Sequence, residues 1–165
     1  MSSRHRVLYL IALLLACTCV AGGVLVLQER GEREDAKAEQ ERYGDVLASA
    51  RTETEAFINI DYRNAQESID AVAAGATGEF KDQYTQSVDS VIEVLEQNQS
   101  VMDGEVVWAG VVSLDNDSAR VIAATTGTVA NTTTDNEPVQ RNFRLQLDLE
   151  LVKGAWLTSN LEFVG

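Results

Sequence analysis

A chain of 165 residues carries 13 lysines and arginines against 26 aspartates and glutamates, a formal net charge of −13. That balance excludes the basic footprint that nucleic-acid binding needs. Its two cysteines, Cys17 and Cys19, and its one histidine, His5, all precede residue 20, so the rest of the chain lacks the ligands of the usual zinc sites and the base of a Ser-His-Asp or Cys-His nucleophile system.

The first element is residues 7–27, VLYLIALLLACTCVAGGVLVL, 21 residues without a charge. At about 1.5 Å of rise per residue a helix of that length spans roughly 31 Å, the thickness of a bilayer's hydrocarbon core. It reads as a single transmembrane helix. Arg4, His5 and Arg6 precede it and an acidic stretch follows, so the positive-inside rule leaves residues 1–6 in the cytoplasm and exports everything after 27 from the plasma membrane. Leu14-Leu15-Ala16-Cys17 is similar to a bacterial lipobox, which would lipidate Cys17. The bulky Leu15 and the apolar residues that continue past Cys17 fit an anchor better than a lipoprotein or a cleaved signal peptide. The part beyond residue 27 holds 11 basic and 26 acidic residues, which disfavours tight binding to anionic head groups.

Residues 28–42, QERGEREDAKAEQER, lack the apolar a and d positions of a coiled coil and read as a charged, solvated helical stalk. Tyr43, Leu47, Ala50, Thr54, Phe57 and Ile58 then recur at helical spacing, giving a helix from about Asp45 to Ile60. A shorter helix through Tyr62, Ala65, Ile69 and Val72 stops at Gly75 and Gly78. One long helix follows, with Phe80, Tyr84, Val88, Val91, Ile92 and Leu95 on one face and Glu79, Asp82 and Glu93 on the wet side. From Glu105 the period changes to alternation. Strands are expected over 105–114, 119–129, 141–152 and 155–164, with turns at Asp115–Ser118 and Lys153-Gly154 and a Thr-rich loop over 131–138. In RNFRLQLDLELV, Phe143, Leu145, Leu147, Leu149 and Leu151 alternate with Arg144, Gln146, Asp148 and Glu150, so one face is buried and the other wet. Helices preceding an antiparallel meander and covering one of its faces make residues 43–165 an α+β domain.

No chemistry-bearing motif outweighs its structural reading. Asp115-x-Asp117 lacks the glycine and distal glutamate of a calcium loop and reads as a turn. Trp108 and Trp156 read as core aromatics before they read as a lipid pocket. Asp61-Tyr62-Arg63 is a candidate binding constellation, although packing of Tyr62 and capping or pairing by its neighbours also account for it.

Several strings, in order, resemble the actinobacterial Mce-associated membrane proteins: the segment from Ala56 to Arg63 ending in Asp-Tyr-Arg, Thr77-Gly78-Glu79-Phe80 followed by Tyr84, Ala109-Gly110-Val111-Val112-Ser113 with Ala119 and Val121, and Trp156-Leu157 with Phe163-Val164. The resemblance covers about residues 43–165. It implies helices packed on a curved sheet, a cone similar to nuclear transport factor 2 (NTF2) and to the periplasmic domain of VirB8, and a role beside Mce lipid-import complexes.

The reading that results is a non-enzymatic accessory protein. It stabilises or assembles an Mce-type lipid or sterol importer through contacts of its exported domain. Asp61, Tyr62, Arg63, Arg144, Gln146, Asp148 and Glu150 are the candidate partner-binding residues. Expected partners are Mce subunits or their permease, and the membrane through the chain's own helix; nucleic acid is not expected, and self-association stays open. No cofactor or metal is expected. The alternatives are a lipid-binding carrier module and a VirB8-like structural subunit of a secretion system. A ketosteroid isomerase type of enzyme stands last, because it needs a buried carboxylate and no apolar-flanked candidate is evident.

Overall fold

The computed structural model describes residues 33–34 and 36–165. The apolar segment 7–27, the lipobox-like Cys17 and residues 28–32 of the charged segment lie outside them. The chain divides into two units, Met1–Arg42 and Tyr43–Gly165. In the first, the described residues are helical and all but the half-buried Arg42 are exposed, with Lys37 Nζ 3.6 Å from the Glu41 carboxylate one turn on. Among the described residues, no helix is long and apolar enough to cross a membrane.

The second unit opens with helix α1, residues 43–58. A two-residue strand β1 (Ile60–Asp61), a 3-10 turn (Tyr62–Asn64), and helices α2 (Ala65–Gly75), α3 (Gly78–Gln86) and α4 (Val88–Asn98) follow. Strands β2 (Val101–Leu114), β3 (Ser118–Ala130), β4 (Val139–Val152) and β5 (Ala155–Phe163) complete it. The sheet order is β1-β2-β3-β4-β5, every neighbouring pair antiparallel. This is an α+β, NTF2-like fold, with helices packed on a curved antiparallel sheet.

Alternation along β4 sets the core. Leu145, Leu147 and Leu149 are almost wholly buried, and across β3 they face Ala123, Val121 and Ala119. Val46, Ala50 and Ile58 of α1 close over them, together with Val106 and Trp156. The hairpins obey their turn chemistry. Asp115 donates its N–H to the Ser118 carbonyl at 2.8 Å, and Lys153-Gly154 turns with both residues at positive φ (51° and 87°), the requirement of a two-residue hairpin loop.

The short strand β1 continues a seal on the outer edge of β2. Ile60 and Asp61 pair with Met102 and Val101. One residue earlier, the Asn59 carboxamide donates Nδ2–H to the Gly104 carbonyl at 3.0 Å and accepts the Gly104 N–H at 2.9 Å. Arg51 then donates to the Val106 carbonyl at 3.3 Å.

Three expectations need correction. The single long helix after Gly78 is two helices, because Ser87 spends its hydroxyl on the Gln83 carbonyl and sits at φ −91°, ψ 0°, the local side-chain competition that disfavours serine within helices. Its apolar stripe is only half covered, and neither α3 nor α4 has a fully buried residue. Trp108 is not a core aromatic. A bulge between Val106 and Trp108 inserts Val107, which reverses the alternation and leaves Trp108 56 % exposed on the outer face. Tyr43 and Leu151, expected on buried faces, are exposed, Leu151 beside the last residue of its strand.

Replacing Leu145 by Asp puts an unpaired charge where exposure is 0 % and is expected to cost about 4 kcal/mol. Denaturant melting checks it, and a midpoint equal to the parent's refutes the proposed core.

Candidate functional site

The candidate residues fall into two groups that the sheet keeps apart, since β2 and β3 lie between β1 and β4. Asp61, Tyr62 and Arg63 stand together where β1 enters the 3-10 turn. Asp61 caps that turn by accepting the Arg63 N–H at 2.9 Å, and its carboxylate also accepts from Arg63 Nε at 2.8 and 3.0 Å. The guanidinium packs 5.9 Å from the Tyr62 ring centroid. Hydrogen bonding from Arg63 holds the Asp61 carboxyl below the usual carboxylate range. The ion pair borders an open cleft of about 530 Å³ whose wall includes Asn59, Glu67, Ser68 and Met102. Because the two charges satisfy one another, the capping and pairing account is the one the geometry supports here.

The second group lies on the outer face of β4. Arg120 of β3 reaches Asp148 with Nε at 2.6 Å and Nη2 at 3.2 Å, and this pairing draws the Asp148 carboxyl down. Gln146 donates to Glu162 of β5 at 2.8 Å. Glu150 is exposed. Among the described residues, Arg144 is the arginine whose guanidinium has no hydrogen-bond or ion-pair partner. The register sets it in one row with Ala124 and Trp108. The six-membered ring of Trp108 packs against Gly110, where a Cβ would come within 2.6 Å of it. Beside this row runs a groove of about 610 Å³ bordered by Val107, Ala124, Thr126, Asn142 and Arg144. An exposed tryptophan and a free arginine in one cross-strand row, with only an alanine between them, are residue types enriched at protein-binding hot spots.

A third feature escaped the sequence reading. Glu53 of α1 is only 3 % exposed and its Oε1 has no partner, so burial raises its pKa from the ordinary 4.5 to about 7. No buried carboxylate was expected from the sequence, yet Glu53 lies at helical spacing from Val46 and Ala50, on the stripe that they form. Burial, and secondarily the Glu53 charge, also raises the Tyr84 phenol. A carboxyl protonated to about pH 7 when folded, but to about 4.5 when unfolded, gives stability that is fully present below pH 4.5 and lost as pH rises to about 7. Glu53→Gln is expected to remove that decline and to add about 2 kcal/mol at pH 8, as read by denaturant melting across pH 4 to 9. A parent curve that is flat between pH 5 and 7 contradicts it.

Compared with known structures, the described unit shares its fold with an IcmL-like type IV secretion system protein of Legionella pneumophila (TM-score 0.60, 13 % identity, 73 % of this chain and 91 % of that one). It is also similar to CagV, a VirB8 homologue of Helicobacter pylori (TM-score 0.56, 8 % identity, 73 % and 97 %), and to a ketosteroid isomerase-like protein of Erwinia carotovora (TM-score 0.56, 23 % identity, 76 % and 98 %). In sequence, it is 30 % identical over 134 residues to the uncharacterized protein Rv1363c of Mycobacterium tuberculosis, covering 81 % of this chain and 51 % of that protein. The chain thus spans about half the length of this relative. The family described as Uncharacterized protein Rv1363c/MT1408-like matches residues 5–165, and the chain belongs to that family.

Proposed function

We propose that this chain is a non-enzymatic accessory subunit of a cell-envelope complex, held at the plasma membrane by residues 7–27, with residues 43–165 outside it. In this reading the domain binds a partner protein through the outer face of its sheet. The observation that carries the proposal is the row Trp108, Ala124 and Arg144, an exposed indole and an unpaired guanidinium beside a groove. Inward-facing leucines explain the other face of the same strands; nothing in the domain's own packing requires a half-exposed tryptophan on this one. The resemblance of the segment ending in Asp61-Tyr62-Arg63 and of Thr77-Gly78-Glu79-Phe80 to Mce-associated proteins supports an Mce-type lipid or sterol importer as the assembly. A second reading, a structural subunit of a secretion machine, is favoured by the likeness in fold to the IcmL-like and VirB8-type proteins.

The test is purification of tagged full-length protein from its native membrane in mild detergent, with mass spectrometry of everything retained. Mce subunits or their permease are expected with the parent. Trp108→Ala and Arg144→Glu are each expected to weaken that association about tenfold to a hundredfold while leaving the melting temperature within about 2 °C of the parent. Retention of secretion-system proteins would replace the first reading by the second. Recovery of lipid alone, unaffected by either substitution, would move the assignment to a carrier module.

A further inference from the structure

The joint between α2 and α3 gathers the buried polar groups that the fold leaves unsatisfied. Among the described residues, the buried side-chain atoms without a hydrogen-bond partner are Glu53 Oε1 and Thr158 Oγ1. The Glu53 carboxyl rests on the last residue of α2, because a Cβ at Gly75 would lie 1.8 Å from Oε2 and 2.9 Å from Cδ. Only glycine leaves room for it there. The next residue, Ala76, is fully buried and forms a parallel bridge with Thr158 of β5, and Thr77 donates its N–H to the Thr158 carbonyl at 2.8 Å. A carboxyl from α1 therefore sits against the backbone whose next two residues fasten the helices to β5.

What this joint fastens is weakly held elsewhere. Neither α3 nor α4 has a fully buried residue. Past α4, the chain is tied back where Tyr62 donates its N–H to the Ser100 carbonyl at 3.0 Å. The segment 78–98 is tied at Thr77 and at Ser100, and otherwise rests on β5, α2 and the 3-10 turn through half-buried side chains.

We propose that Glu53 is a proton-operated latch on this joint. With the carboxyl protonated, Gly75 to Thr77 stay seated against β5. With it ionised, water enters to solvate the carboxylate, and the joint opens together with α3 and α4. Two costs compete. A carboxylate without a partner in an apolar seat is expensive, and segments with little buried area open at far lower free energy than the strands of the core. The groups that face Glu53 offer no other relief. Tyr84 of α3 is the titratable one, and it is neutral through the relevant range because its phenol is pushed further up. From α2 comes the Gly75 backbone. On its own helix, Arg51 is turned to the Val106 carbonyl. Among the described residues no cation pairs with Glu53, and its raised pKa of about 7 places the change within a range that an exported domain can meet.

The test is hydrogen exchange of the full-length chain in detergent at pH 5.5 and pH 8, corrected for the intrinsic exchange rate. The expected result is a loss of protection of at least tenfold over residues 77–98 at pH 8, with residues 145–149 still the better protected of the two segments, and a Glu53→Gln chain that keeps the low-pH protection at both values. Glu53→Met substitutes for Gln should that variant not fold. Equal protection of 77–98 at the two pH values in the parent overturns the latch, as does the same pH-dependent loss in an uncharged variant. Equal protection of residues 77–98 and 145–149 at pH 8 would also overturn it, since the opening would then be global.

Discussion

One constraint orders the domain: three leucines of a central strand must all point to the same side. Leu145, Leu147 and Leu149 do so, and their cross-strand neighbours on β3 are Ala123, Val121 and Ala119. The large side chains of one strand stand over the small ones of the next. Val46 and Ala50, also small and wholly buried, let α1 approach the same leucines closely. This matching of large to small is how close packing is reached without strain. The position of α1 follows from it, and with α1 the positions of Asn59, β1 and Glu53.

Where the alternation is broken, the domain turns outward. The bulge at Val107 sends Trp108 to the exposed face, and a second irregularity between Val111 and Ser113 restores Leu114 to the core side. Two bulges in one strand keep the core intact while re-aiming a single aromatic, the use of bulges expected beside functional surfaces. On that face Arg120 and Asp148 neutralise one another across strands, and the Gln146 amide donates to the Glu162 carboxylate. Arg144 is left over, although acidic residues outnumber basic ones two to one in the chain.

Much of the fold was legible. The four strands, their turns and the buried leucines follow from period-two patterning, and α2 ends at Gly75, as its composition required. The failures share one cause: one-dimensional periodicity assumes that the period continues. An inserted Val107 reverses every later position until the next insertion, which put Trp108 on the wrong side. Ser87 ends a helix by bonding its own chain, and a run of apolar residues at helical spacing does not reveal that. Of the candidate residues, Asp61 and Arg63 were legible as a pair because they are two apart. The pairing of Asp148 with Arg120, which freed Arg144 to stand out, depends on a register set 28 residues away in sequence. Glu53 shows the remaining weakness. Its spacing from Val46 and Ala50 was readable, but it was not singled out among the carboxylates.

The carboxamide of Asn59 has a meaning at the level of how copies of the chain behave in company. An edge strand with vacant N–H and C=O groups is a template on which another chain can lay down a strand. From Val101 to Val106 that template is occupied from within. Asp61 and Ile60 face Val101 and Met102, the Asn59 side chain serves as one further rung at Gly104, and Arg51 takes the carbonyl of Val106. A single amide side chain thereby does the work of a residue of strand. It closes this part of the sheet to runaway self-assembly in a crowded compartment, and directs association to faces where side chains, rather than the universal backbone, choose the partner.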